Sequence, residues 1–314
     1  MRVFNFVLLI VIVAAFGGIA WLIVVDKQGN FNADLKLSLL QPVSGHIVSP
    51  NQVDTSRLRF AVAPVLSPLA TAKNYETLAT YLGEKLGRPV ELVQGKSYTE
   101  INAMVRAGDV SLAFVCSGAF VIGRREFGME ALVTPVVNGQ KTYNSYLIVP
   151  TRSTAKTWGD LRQKTFAFTD PLSNTGRIVP VYVLSQMGET PEKFFKSTIF
   201  TYGHDKSIQA VADSLVDGAA VDSLVYDFIA KRDTALAART KVIWRSPPYG
   251  INPVAVNPNL SPELRRQFES IFLGMSSDTK GMETLKYLGI DTFTKPDVAA
   301  YDAIEEMIRV TGFK

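Results

Sequence analysis

One cysteine and two histidines in 314 residues leave little material for several kinds of chemistry. Cys116 has no partner for an internal disulfide, and its place after the apolar Leu112-Ala113-Phe114-Val115 reads as a buried small hydrophobe. No Cys-x-x-Cys, His-Glu-x-x-His or Gly-x-Ser-x-Gly pattern occurs, so redox, zinc-protease and hydrolase templates find nothing to fit. His46 has no carboxylate or thiol at ligand spacing, which argues against a metal site, and nothing calls for a cofactor. Long Lys/Arg clusters are also missing, so no nucleic-acid partner is expected. A net charge of +4 and a pI near 9.0 are compatible with an anionic ligand or a lipid surface. With 47% hydrophobic and 20% charged residues the chain is globular in composition, and its length suits two α/β lobes.

What the chain does have is one long apolar run. From Phe6 to Val25 no charge interrupts the sequence, enough for a helix to cross a ~30 Å hydrocarbon layer. It reads as a single N-terminal transmembrane helix; the alternative is a cleaved signal peptide ending near Gly18-Ile19-Ala20. Arg2 precedes the run and only Lys27 follows closely, which weakly places the N-terminus in the cytoplasm and the rest of the chain outside. Residues 26–56 are polar and aperiodic with Pro and Gly, and read as a tether.

Beyond the tether, apolar strands alternate with amphipathic helices. Strands are expected at Leu58–Ala63, Val90–Val93, Leu112–Val115, Ala131–Val137 and Ser145–Val149, with a helix carrying Tyr75, Leu78, Ala79, Leu82 and Leu86 on one face. That alternation predicts a largely parallel sheet. A second series follows: Thr165–Phe168, a helix from about Thr175, Thr198–Tyr202, a helix bearing Ile208, Val211, Ala212 and Leu215, then Ala219–Val221. The stretch Tyr249–Val256 looks like a strand returning to the first series, and three helices near 261–274, 279–288 and 297–311 finish the chain. The implied domains are an anchor at 1–25, a tether at 26–56, a first lobe from 57–145 with 250–314, and a second lobe at 146–249.

Three loci stand where open α/β sheets present ligand groups. In Thr169-Asp170-Pro171-Leu172-Ser173-Asn174-Thr175-Gly176 a strand runs into small polar residues that open a helix, gathering free N–H groups, hydroxyl donors and the positive end of the helix dipole. The structural alternative is an ordinary N-cap. His204, in Tyr202-Gly203-His204-Asp205, follows a strand and is a hydrogen-bond donor to an anion or a plain loop histidine ahead of an Asp205 cap. Asp222 ends the Ala219–Val221 strand and is ligand-facing or the cap of the helix after it. No nucleophile or metal accompanies this pair, which argues against an enzyme.

In order along residues 57–312, Tyr75–Leu82, Ser97-Tyr98, Tyr143-Asn144-Ser145-Tyr146, Asp170–Gly176, Gly203-His204, Val216–Asp222 and Pro247-Pro248-Tyr249-Gly250 resemble the phosphate/phosphite/phosphonate-binding proteins of ABC transporters. The resemblance implies a type II periplasmic-binding-protein fold, with two α/β lobes around a ligand cleft. It implies a small phosphorus oxyanion as ligand, held by Ser173, Asn174, Thr175 and Gly176 of the turn and by His204, with Tyr98 and Tyr143 lining the cleft and Asp222 facing the ligand. Asn174 departs from the family in standing where a hydroxyl residue is common. The partner is expected to be an ABC permease or, as the alternative for a membrane-anchored sensor, a membrane signalling protein. The expected address is a bacterial cytoplasmic membrane, crossed once, with the binding domain in the periplasm or outside.

Overall fold

A computed structural model describes residues 11–16, 19–25, 31–32, 58–66 and 68–313. The chain divides into two units, Met1–Ser49 and Pro50–Lys314. In the first, Val11–Phe16 pairs antiparallel with Ile19–Val25, which pairs in turn with Phe31–Asn32. The helix expected across residues 6–25 is therefore not shown. Val and Ile suit a strand as well as an apolar helix. No helix among the described residues is long and apolar enough to cross a membrane. The tether at 26–56, including His46, lies outside the described residues apart from Phe31–Asn32.

The second unit begins with β1 (Leu58–Val62), α1 (Pro68–Leu86), β2 (Val90–Gln94), α2 (Tyr98–Ala107), β3 (Leu112–Phe114), α3 (Ser117–Phe127) and β4 (Glu130–Val136). It continues with β5 (Ser145–Pro150), β6 (Thr165–Phe168), α4 (Val179–Gln186), β7 (Ser197–Phe200), α5 (His204–Ala212), β8 (Gly218–Asp222), α6 (Ser223–Arg232) and β9 (Thr240–Arg245). Then come β10 (Val254–Val256), α7 (Pro262–Gly274), α8 (Thr279–Leu288), β11 (Thr292–Thr294) and α9 (Asp302–Thr311). Among the described residues two large sheets result, ordered β11-β4-β10-β3-β1-β2 and β7-β6-β8-β5-β9, with a third, two-stranded one pairing Tyr249–Gly250 antiparallel with Thr142–Tyr143.

Neither sheet is largely parallel, which corrects the expectation. β1 pairs parallel with β2 and β3, but β10 enters antiparallel between β3 and β4, and β11 is antiparallel to β4. In the second sheet β6 is parallel to β7 and β8, while β5 is antiparallel to both β8 and β9. Crossover helices force parallel pairing; strands reached without one, such as β5 after the Thr142–Tyr143 segment, are free to run the other way.

Period-two alternation assigns the strand faces. In β1, Leu58, Phe60 and Val62 join a core with Leu78 and Leu82 of α1 and with Phe268 and Phe272 of α7, while Ala61 and Ala63 turn to the opposite core with α2 and α3. α2 shows why such helices stop and start where they do. Ser97 caps its N-terminus by accepting from the Glu100 N–H at 3.2 Å, and Gly108 at φ 77° closes it in the left-handed region. Its inward face carries Ile101 and Val105, each fully buried and each contributing roughly 1.5–3 kcal/mol by removal from water.

The core against α2 and α3 also holds Ile178 and Val179, at the start of α4, together with Tyr301 and Ile304 at the C-terminal end of the chain. The first turn of α4 is thus held against helices of the first sheet although its strand belongs to the second. Leu215 corrects another expectation: α5 ends at Ala212, Ser214 takes φ 56°, and Leu215 lies beyond the helical face at 73% exposure.

Candidate functional site

Strands β1, β3, β6 and β8 end in one region, where the carboxyl ends of sheet strands leave loops free to hold a ligand. Hydrogen bonds between the two sheets' loops tie it together. The Tyr98 N–H donates to Asp170 Oδ2 at 3.0 Å, the His204 N–H to the Val65 carbonyl at 2.9 Å, and the Asn174 N–H to Cys116 Sγ at 3.5 Å. Asn252 bridges the rest, accepting from the Ser117 N–H at 2.9 Å through Oδ1 and donating from Nδ2 to Asp222 Oδ2 at 3.4 Å.

All eight residues expected from the sequence fall inside this region, and their side chains are buried. Tyr98, Ser173, Asn174 and Thr175 are inaccessible, with Tyr143 and His204 at 1% and Asp222 at 2%. Tyr143 hydroxyl and Ser117 Oγ are 2.5 Å apart, and Asn174 Nδ2 donates to Tyr143 at 3.2 Å. His204 Nδ1 accepts the Asp222 backbone N–H at 3.0 Å and lies 3.2 Å from Thr169 Oγ1.

The capping alternatives weighed for the turn and for Asp222 describe real geometry. Ser173 Oγ accepts from the Gly176 N–H at 3.0 Å, capping a π-turn over Asn174–Ile178 that runs directly into α4. Asp222 Oδ1 accepts from the N–H groups of Leu224 at 2.7 Å and Val225 at 3.3 Å, capping α6. Capping leaves Ser173 its hydroxyl proton and Asp222 its second oxygen. His204 is the first residue of α5 behind Gly203, so Asp205 does not cap that helix.

Two glycines make the approach possible. A Cβ on Gly176 would collide with Thr169 Oγ1 and sit 2.6 Å from Thr169 Cβ; one on Gly118 would lie 2.5 Å from the Leu172 carbonyl and 2.8 Å from the Asn174 nitrogen. The first turn of α3 therefore rests directly on the 170–174 turn. Ser117, Asn252 and Cys116 join this network without being among the residues expected from the sequence. For Ser117 the available signal was its place just after β3, the same strand-end position that drew attention to Thr169–Gly176 and Asp222.

Among the described residues, no lysine or arginine side chain hydrogen-bonds within the network. Burial pushes His204 down to about 3, so the ring is neutral at physiological pH. Because Nδ1 accepts from the Asp222 N–H, the ring proton belongs on Nε2. Burial drives Tyr98 and Tyr143 well above the usual phenol range and Cys116 up to about 11, keeping all three protonated. Asp222 is pushed up to about 7, chiefly by burial, against the opposing pull of its cap N–H groups.

Three atoms here have unused hydrogen-bonding capacity. Tyr98 hydroxyl, Thr175 Oγ1 and Asn174 Oδ1 are buried without a hydrogen-bond partner among the described residues. An unpaired buried polar group costs about 1–3 kcal/mol, so three from one cluster of expected site residues indicate a surface shaped to bond something else. With the N-terminal end of the π-turn and α4 beside them, the Tyr98 and Thr175 hydroxyls are neutral donors suited to an anion, while Asn174 Oδ1 is an acceptor suited to a protonated ligand oxygen. A cavity of about 370 Å³ adjoins, and Asp222 and Asn252 form part of its wall.

Residues 60–301 match the sequence model of a family described as "ABC transporter, phosphonate, periplasmic substrate-binding protein". The "Phosphate-import protein PhnD" of Mycolicibacterium smegmatis is 25% identical over 277 residues, covering 81% of this chain and 86% of that protein. Among solved structures, a binding protein component of an ABC phosphonate transporter from Pseudomonas aeruginosa superposes with a TM-score of 0.77 at 23% identity, covering 81% of this chain and 86% of the other. PhnD1 of Prochlorococcus marinus, solved in complex with methylphosphonate, gives 0.74 at 19% identity, covering 82% and 98%. These likenesses establish the α/β fold of type II periplasmic-binding proteins.

Proposed function

Because the chain belongs to the family of periplasmic substrate-binding proteins of phosphonate ABC transporters, we propose that its buried cradle captures a small phosphorus oxyanion, phosphonate, phosphite or phosphate, for delivery to a permease. The observation that carries this reading is a pair of buried hydroxyls without partners among the described residues, Thr175 at the start of the 174–186 helical segment and Tyr98, whose backbone N–H is bonded to Asp170 of the same turn. Thr175, Ser173, Tyr98 and His204 Nε2 supply neutral donors, and Asn174 supplies its amide. The two lobes, 57–145 with 250–314 and 146–249, close over the ligand, and the closed form is what a permease recognises. Hydrogen bonds to an ionised group are roughly twice as strong as neutral ones, so a cationic side chain is not required.

Asp222 shapes selectivity. Its second oxygen accepts from Asn252 Nδ2 at the cavity wall, and an ionised carboxylate there repels a fully deprotonated ligand while its remaining lone pair accepts from a P–OH or an amine. Relatives named as transport components support a transporter role over the sensor alternative and over catalysis. The charge-free Phe6–Val25 run supports an extracytoplasmic address, as a membrane anchor or a cleaved leader; N-terminal sequencing of the mature protein separates the two.

The test is calorimetry with phosphate, phosphite, methylphosphonate, 2-aminoethylphosphonate and sulfate on the parent, Thr175→Val and Tyr98→Phe. Each variant removes an unpaired hydroxyl at nearly constant volume, so ligand-free stability should hold or rise by about 1 kcal/mol while oxyanion affinity falls roughly tenfold or more. Unchanged affinity in both variants would refute the cradle.

A further inference from the structure

The outer edge of the second sheet is open. β7 stands at one end of the order β7-β6-β8-β5-β9 and pairs only with β6 among the described residues. The Thr201 N–H donates to the Phe168 carbonyl at 3.0 Å, so alternation along the strand turns the N–H and carbonyl groups of Thr198 and Phe200 away from the sheet. All four residues of β7 are exposed. Three of the eight exposed large hydrophobic side chains among the described residues lie here within four positions, Ile199 at 47%, Phe200 at 37% and Tyr202 at 42%, and that clustering separates an interaction surface from scattered exposed apolar residues.

The aromatic rings are held in place. The Arg177 guanidinium lies 4.3 Å from the Phe168 ring centroid and 5.6 Å from that of Phe200, and the Phe200 and Tyr202 centroids are 6.1 Å apart. Tyr202 keeps φ at 54°, a left-handed backbone that a bulky residue rarely adopts, and its N–H is tied to the Thr169 carbonyl at 2.7 Å. Arg177 belongs to the Asn174–Ile178 turn and Tyr202 precedes Gly203-His204, so the edge is joined through the chain to the oxyanion cradle.

The flanks of the edge are basic. Lys193, Lys196 and Lys206 are exposed and carry no ion pair among the described residues. The two acidic residues between 190 and 206 are already engaged, Glu192 by Thr190 and Asp205 Oδ1 by the Lys206 N–H at 2.9 Å.

We propose that β7 is a docking edge for an extended acidic segment of a partner protein, which adds a strand beside Thr198 and Phe200 and lays apolar side chains on Ile199, Phe200 and Tyr202. Charge selects this occupant. A second copy of the chain paired edge to edge would set these lysines against their own kind, and lipid offers nothing to the outward backbone groups.

The experiment is fluorescence anisotropy of the full chain with a fluorescein-labelled peptide of about ten alternating valines and glutamates, set against one alternating valine and lysine, on the parent, Thr198→Pro and Tyr202→Gly. Proline removes an outward N–H that β6 does not use, and glycine removes a ring where it adopts the backbone freely, so either variant suffices if the other misfolds. The glutamate peptide should bind about tenfold or more tightly than the lysine peptide, with an affinity that falls as salt is raised. Each variant should weaken it about tenfold or more. Equal affinity for the two peptides overturns the assignment of an acidic partner. Glutamate-peptide binding that survives in every folded variant, or no binding by either peptide, overturns the docking edge itself. Sedimentation of the protein alone checks the rival occupant: a concentration-dependent dimer that Thr198→Pro abolishes gives the edge to a second copy and overturns the proposal.

Discussion

Replacing Asp222 by asparagine should make the ligand-free protein progressively more stable than its parent as pH rises. The carboxyl is buried, and burial lifts it from an unfolded value of 3.8 to about 7. A raised carboxyl binds its proton more tightly in the folded state, so its contribution to stability is fully present below the unfolded value and is lost as pH climbs to the folded one. Each unit of that climb costs about 1.4 kcal/mol, giving about 1 kcal/mol at pH 4.5 and about 4 kcal/mol at pH 8. Asparagine retains an acceptor for the Leu224 and Val225 N–H groups and is a good N-cap, so α6 keeps its start. Its amide nitrogen would face Asn252 Nδ2, a donor against a donor, which adds an offset that does not vary with pH. The quantity to read is therefore the slope. Urea unfolding of parent and D222N at pH 4.5 and pH 8 should show the variant gaining about 3 kcal/mol on the parent between the two. A flat or shrinking gap would refute the claim that Asp222 is held in a desolvated site.

His204 should show the opposite sign. Its folded value near 3 lies below the unfolded 6.5, so the stability from burying a neutral ring is present above 6.5 and lost on acidification. Denaturation of His204→Gln against the parent between pH 6.5 and 4.5 should find the parent losing about 3 kcal/mol that the variant keeps. Gly118→Ala places a Cβ against the Leu172 carbonyl and the Asn174 nitrogen, which are backbone and cannot swing aside; melting and methylphosphonate titration should show about 1–3 kcal/mol of lost stability together with weakened binding. Tyr143→Phe removes the acceptor of the Asn174 amide and the partner of Ser117, leaving buried polar groups unpaired, and should lower stability by about 1–3 kcal/mol in urea titration.

Much of the architecture was written in local sequence. The apolar runs at Leu58, Leu112, Ser145 and Thr165 became strands because alternating or continuous apolar residues between turn signals have few other ways to bury themselves. Tyr98–Ala107 is legible to the residue, since Ser97 and Gly108 mark its ends chemically. Leu215 misled because a helical period continues in sequence past the point where Ser214 breaks the backbone. The apolar run at the N-terminus carries no period at all, and its length alone drew the reading of a transmembrane helix, which the structure does not show.

The sequence by itself determined where polar residues meet strand ends: Asp170–Gly176, His204 and Asp222 are each recognisable by that position, because the turn after a strand is where unpaired backbone donors collect. Strand direction and partnership were decided only by the tertiary structure. Insertion of β10 between β3 and β4 carries Asn252 to Ser117 from 135 positions away, and no local pattern encodes a pairing of that separation. Tertiary structure also decided what the caps do besides capping. Burial turns a solvated helix-capping aspartate into a carboxyl near 7 and a loop histidine into a neutral ring near 3, because the cost of charge depends on the medium around it and not on the residues beside it in the chain.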